Sequence, residues 1–210
     1  MGPISSTALW YASRATGVVA LALLTVVVLL GILVHRRGRL PGLPRFATTS
    51  LHRSLSLLAV AFIAIHVVTA IADPYVTIGI AAAVLPFSSP YKPLWIGLGA
   101  ISFDIIAALI ITSLARGRIG RRTWRAVHWL AYACWPVALL HSIGSSTDLR
   151  AGWLLALAID CAAAVVAATC WRAGTALTAP SRAHRAARAL RDAELSTGPR
   201  HHELTGAGMR

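Results

Sequence analysis

Four histidines sit inside otherwise apolar stretches of this 210-residue chain, His52 and His66 in one and His128 and His141 in another. An imidazole in hydrocarbon is costly, so such a residue faces a bundle interior and serves a relay, an ion path or a cofactor. The pairs are 14 residues (52 to 66) and 13 residues (128 to 141) apart. At 1.5 Å rise per residue these separations are about 21 Å and about 20 Å. Two pairs at matched depths on two helices are the pattern expected of two stacked haems, each clamped axially. His52 would pair with His128, and His66 with His141. Low-spin bis-imidazole iron suits electron transfer, because both oxidation states keep the same ligands and no position opens for substrate. The competing readings are a histidine that bonds a neighbouring helix for structure, and a proton relay.

Phase constrains this reading. Fourteen residues turn a helix through nearly four turns, so His52 and His66 share one face. Thirteen leave His141 about 140° from His128 on an ideal helix. Pro136 lies between them, and a proline within a span is a cause of kinking and local repacking. The expectation is a kink there.

The elements that must position these histidines follow from composition. The chain is 57% hydrophobic and 13% charged, where a soluble domain carries about 25% charge. Apolar stretches run roughly 9–34, 51–72, 94–115, 124–145 and 151–171, each near the ~20 residues that cross a bilayer. The fold expected is all-α, an integral membrane helix bundle of about five transmembrane helices, with no room left for a soluble catalytic domain. The first stretch is too long for a signal-peptide core and lacks a basic leader, so it is read as a mature helix.

A net charge of +13 suggests nucleic acid only until its distribution is seen. Arg36, Arg37, Arg39, Arg45 and Arg53 lie between the first two spans, and Arg116, Arg118, Arg121, Arg122 and Arg125 around the start of the fourth. Seven more follow the fifth span, while the other faces hold only Arg14, Lys92 and Arg150. Seventeen against three is a strong positive-inside bias, which predicts an outside N-terminus and a cytoplasmic C-terminus. The partner this implies is membrane lipid, not nucleic acid. Cys134, Cys161 and Cys170 all fall within spans and read as small packing residues.

Thr48, Thr49 and Ser50 are suited to cap the second helix. Segment 73–93, interrupted by Pro74, Pro86, Pro90 and Pro93, is expected to lie against the outer surface, and 116–123 to form a basic cytoplasmic hairpin. Residues 173–210 form a basic tail, with a helix expected over 181–195 on the anionic inner leaflet and disorder after Gly198.

The stretches LHRSLSLLAVAFIAIH (51–66) and RIGRRTWRAVHWLAYACWPVALLH (118–141) resemble the ferric reductase-like transmembrane domain. That domain is shared by iron reductases, NADPH oxidase membrane cores and the haem subunit of bacterial periplasmic methionine sulfoxide reductase. The resemblance covers about residues 8–172. Its histidine pairs have this same spacing and carry over to His52, His66, His128 and His141. Subunits like the sulfoxide-reductase one often lack the first of these histidines, so its presence here implies two b-type haems. The family commonly has six helices, whereas this chain lacks one at its N-terminus. The oxidases also carry a flavin and nicotinamide domain, and no GxGxxG unit or βα alternation occurs here.

Haem propionates need cationic partners. Arg53 and Arg125 adjoin the inner ligands, and Arg14, Lys92 and Arg150 are the cations available outside; the inner arginines read equally as topology signals. Asp104 and Asp160 fall mid-span, where a protonated, helix-bonded acid is the plain reading and a hydrogen bond to a ligand histidine the sharper one. Trp95, Trp124, Trp153 and Trp171 are placed as interfacial anchors, Trp129 and Trp135 as deeper packing residues. His35, His184, His201 and His202 have no spaced partner.

The function expected is a dihaem cytochrome b moving electrons outward. An NAD(P)H-dependent cytoplasmic flavin reductase, or a quinol, would be the donor. Ferric iron, a flavoprotein, a sulfoxide-reducing protein or oxygen would be the acceptor. The alternatives are a quinol-oxidising membrane anchor of a respiratory complex and a haem-free transporter or scaffold.

Overall fold

Hydrophobic length dictates the elements. In the computed structural model α1 runs Ser6–His35, α2 Arg45–Ala72, α3 Pro93–Leu114, α4 Arg116–His128, α5 Ala131–Ser145 and α6 Gly152–Leu177, with one 3₁₀ turn at Ile80–Ala83. The structure describes residues 6–35, 44–74, 76, 78–146, 152–177 and 190–192, and among them there is no strand. Arg36, Arg37, Arg39, Arg150, His184, His201 and His202 lie outside the described residues, as does the 181–195 helix apart from 190–192. By length and composition α1, α2, α3 and α6 can each cross a membrane, and α4 with α5 forms one further, bent span. The chain is a multi-pass membrane protein, and its described residues form helices and the loops between them.

Hydroxyl groups in these spans bond back to the preceding turn, which satisfies them without water. Thr25 donates to the Leu21 carbonyl (2.9 Å), Ser102 to Leu98 (3.0 Å) and Thr112 to Ala108 (2.6 Å).

The chain divides into two compact units, Met1–Thr169 and Cys170–Arg210. In the first, two apolar clusters set the helix arrangement. Val28 and Ile32 of α1 pack with Trp135 of α5 and with Cys161 and Val165 of α6. Ala20 of α1, Ile63 of α2, Ile106 of α3 and Cys134 of α5 form the other cluster. The Trp135 indole N–H donates to Thr25 Oγ1 at 2.9 Å, tying α5 to α1 in the core. In the second unit Cys170, Trp171 and Leu190 are exposed, so Cys170 is not the packing residue its span position suggested.

Two further expectations are corrected. Helix α2 begins at Arg45 behind an extended Pro44, not at residues 48–50. Proline presets its own φ and ends the preceding path, so the helix starts at once. Thr48 is buried one turn before His52, with no hydrogen-bond partner for its hydroxyl among the described residues.

The bend in the fourth span also lies elsewhere. Helices α4 and α5 meet at 44° across Trp129 and Leu130, while Pro136 sits inside a continuous α5. The missing proline N–H is accommodated close behind a new helix start, where little ladder precedes it. At the bend, Leu130, Tyr132 and Ala133 donate to carbonyls three residues back. Such 3₁₀ steps turn the chain by about 120° rather than 100°, and three of them recover about 60° of the 140° phase deficit.

The basic 116–123 segment is helical except at Gly120, whose φ of 77° and ψ of 157° break it; glycine adopts that backbone without a Cβ penalty. Arg116, Arg118, Arg121, Arg122 and Arg125 are all exposed.

Candidate functional site

Antiparallel packing brings the four histidines together in two levels. On α1 and α2, Gly17 faces His66 and Gly31 faces His52. Each of these pairs of residue numbers adds to the same total, as an antiparallel register requires. On α3 and α5, Gly99 faces His141. Helices α2 and α5 therefore run parallel, and each presents a histidine to the other.

At one level the His66 and His141 rings lie with centroids 6.2 Å apart and planes at 75°. His66 Nδ1 is 2.7 Å from the Ser13 carbonyl oxygen, and His141 Nδ1 is 2.7 Å from that of Trp95. A carbonyl has no proton to give, so each Nδ1 carries the hydrogen and each Nε2 keeps a free lone pair. Metal-ligating histidines have this arrangement, with an outer partner fixing tautomer and ring orientation.

A cavity of about 1030 Å³ surrounds this pair, lined by both histidines, by Gly17 and Gly99, by Trp10, Tyr11 and Arg14 of α1 and by Trp153 of α6. Arg14 is half-buried there. Its guanidinium reaches Ser146 Oγ at 3.4 Å and lies 4.4 Å from the centre of the Trp10 ring. Segment 73–93 contributes Val76, Ile78, Ala82 and Tyr91 to the wall. Lys92 is turned to the end of α5, where its ammonium donates to the carbonyls of Gly144 (3.3 Å) and Ser145 (3.2 Å), as cations do at a helix C-terminus.

At the other level His52 and His128 are electrostatic neighbours. His52 Nδ1 donates to the Val27 carbonyl at 3.1 Å. His128 stacks on Trp124, with ring centres 4.9 Å apart and planes at 23°. Its Nδ1 is buried without a hydrogen-bond partner among the described residues. Arg53 and Arg125 beside these ligands are exposed. Asp104 is half-buried and Asp160 exposed, while Trp135 is core and Trp129 exposed.

The donor set matches one class of cofactor. Among the described residues no three His, Cys, Asp or Glu side chains gather into a metal cluster. A bare metal ion needs three or four protein ligands. Paired axial imidazoles suit a macrocycle that brings its own four nitrogens. Two metal–nitrogen bonds of about 2 Å, and about 1 Å from each nitrogen to its ring centre, place axial imidazole centroids about 6 Å apart. The spacing of His66 and His141 fits a haem.

Sequence reasoning missed the glycines. Gly17 and Gly31 are 14 residues apart, the same interval as His52 and His66, and that shared spacing was a readable signal. Among curated proteins and among solved structures, comparison finds no match. Residues 16–144 match the family model described as "Ferric reductase like transmembrane component", and since that is more than half of its length, the chain belongs to this family of transmembrane electron-transfer components.

Proposed function

We propose that this chain is a dihaem b-type cytochrome conducting electrons across the membrane. One haem would be held by His52 and His128 near the cytoplasmic face, the other by His66 and His141 near the outside. The observation that carries this reading is the His66–His141 pair, 6.2 Å between ring centres, with both Nδ1 atoms anchored on backbone carbonyls. Family membership supports haem as the cofactor, and the arginine distribution supports the inner and outer assignment.

A bound haem supplies reversible one-electron chemistry. The protein's share is positional. Two imidazoles would hold each haem, the largely apolar cavity wall would surround it, and Arg14 in that wall would offer a positive charge to a carboxylate. The donor in this proposal is a cytoplasmic flavoprotein or a quinol, and the acceptor an external redox protein, ferric iron or oxygen. Substrate chemistry then resides in those partners.

The test is a reduced-minus-oxidised spectrum of purified protein with haem quantification. The reading expects roughly two low-spin b-type haems per chain. Less than about one haem per chain, or an unchanged spectrum after His66→Ala with His141→Ala, overturns it.

A further inference from the structure

Three of the four histidines rest in the same device. His66 donates to Ser13 and packs on Gly17, His52 donates to Val27 and packs on Gly31, and His141 donates to Trp95 and packs on Gly99. In each case the accepting carbonyl lies four residues before the glycine. The reason is geometric. Helical Cα–Cβ bonds tilt toward the N-terminus, so the side chain at one position leans over the carbonyl four residues earlier. A glycine there uncovers that oxygen, and an imidazole from the neighbouring helix can settle on it.

The fourth histidine meets a closed version. Between α3 and α5, residues numbered 95 and 141 pair through the Trp95 carbonyl, and 102 and 134 through the Cys134 thiol on the Ser102 carbonyl (3.6 Å). Both pairs share one register, which continued sets Ala108 level with His128. Past the bend the Trp124 indole donates to Ser113 Oγ at 3.4 Å, a pair one residue off that register. Four residues after Ala108 stands Thr112, where the other sites have glycine, and its hydroxyl donates to the Ala108 carbonyl at 2.6 Å. A hydroxyl bond alone does not close such an oxygen, since Thr16 donates to the Ser13 carbonyl (3.1 Å) that also receives His66. Here a threonine side chain rather than a glycine lies over the Ala108 oxygen, and His128 Nδ1 is left unpartnered among the described residues.

We infer that the carbonyl–glycine pairs are positioning elements that tune the haem ligands, and that Thr112 withholds this tuning from His128, so that the His52/His128 haem has the higher reduction potential. This rests on the haem reading above. An imidazole whose Nδ1–H donates to a carbonyl is a more basic ligand. A more basic axial ligand favours ferric iron and lowers the potential. Both imidazoles are so assisted at the His66/His141 level, and only one at the other.

The test is a redox titration of detergent-solubilised holoprotein followed in the α-band. Each potential is assigned in the His52→Ala and His66→Ala backgrounds. Wild type should show two potentials, the higher belonging to His52/His128. Thr112→Gly should lower that potential and leave the other in place. Thr112→Ala, which removes the hydroxyl and the γ-methyl but keeps the Cβ over the oxygen, should give a smaller shift of the same sign. Gly99→Ala should raise the potential of the His66/His141 haem alone. Low-spin electron paramagnetic resonance should show the affected ligand field changing in the same variants. A Thr112→Ala or Thr112→Gly protein with full haem and unmoved potentials overturns the inference, as does a shift in the His66/His141 haem. Haem-free wild-type protein would instead overturn the underlying cofactor assignment.

Discussion

The two histidine levels use the same residue type on α2 and on the bent α4–α5 span, yet they are held to different degrees. At His66/His141 both imidazoles donate at 2.7 Å, both lie on a glycine, and a cavity of about 1030 Å³ surrounds them. At His52/His128 one donor bond is 3.1 Å, the facing glycine is looser, and the second imidazole is set by stacking on Trp124. The difference lies in the first and third helices rather than in the ligands. Neighbouring helices decide how rigidly a histidine is aimed, because they supply the oxygen and the uncovered space in front of it.

The largest effect that can break this comparison comes from removing ligands. Alanine at His66 or His141 should roughly halve the haem content, leaving the other level spectrally intact, and alanine at His52 or His128 should do the converse. Pyridine haemochrome quantification against protein concentration checks this. Loss of both haems from any single substitution would show that the levels fold as one unit and that their differences have no separate meaning.

Next come the glycines, which should grade with available space. A Cβ at Gly99 would lie 2.6 Å from the His141 ring, one at Gly17 3.0 Å from His66, and one at Gly31 3.5 Å from His52. Overpacking costs about 1–3 kcal/mol, whereas glycine to alanine in an unstrained helix interior gains about 0.5–1 kcal/mol. Gly99→Ala should therefore lower thermal stability most, Gly17→Ala less, and Gly31→Ala should be neutral or stabilising with haem retained. Melting temperatures in detergent report the order. A Gly31→Ala protein as damaged as Gly99→Ala would erase the distinction between a tight and a loose level.

How much of this was legible in the sequence depends on whether a feature is periodic. Hydropathy located the spans because a bilayer demands length, and the histidine spacings set two depths because a helix rises uniformly. The acceptor carbonyls were invisible, since Ser13, Val27 and Trp95 offer their backbone, which carries no residue signature. Gly17 and Gly31 shared an interval with the ligands, but a glycine alone has many uses. The bend was misplaced at Pro136 because a proline marks a weak ladder locally, whereas the break at Trp129 and Leu130 reflects how α4 must leave its arginines exposed while α5 turns into the bundle.

A smaller effect concerns charge. Arg14 lies in the cavity wall, while Arg53 and Arg125 are exposed. A nearby cation favours the ferrous form, and an exposed one is screened by solvent. Arg14→Gln should lower the potential of the His66/His141 haem, and Arg53→Gln should move its own level less. Spectroelectrochemistry of the two variants at equal ionic strength makes the comparison. Equal shifts would place the propionate-facing charge at both levels alike.

The smallest effect should come from the core between the levels. Trp135 lies seven residues after His128 and six before His141, and its indole donates to Thr25 at 2.9 Å. Trp135→Phe keeps an aromatic ring against Val28, Ile32, Cys161 and Val165 and deletes that one bond. Thr25 retains the Leu21 carbonyl as partner for its own hydroxyl, so no buried donor is orphaned. The cost is then that of a single interhelical hydrogen bond in a membrane, about 0.5–1 kcal/mol, plus about 1 kcal/mol for the space the smaller ring leaves in the core. Because neither histidine cradle includes Trp135, a modest fall in melting temperature should leave both spectra and both potentials unmoved. A shift confined to one haem would mean that this core holds that level's ligand, and the contrast between levels would then originate at α5 rather than at the glycines of α1 and α3.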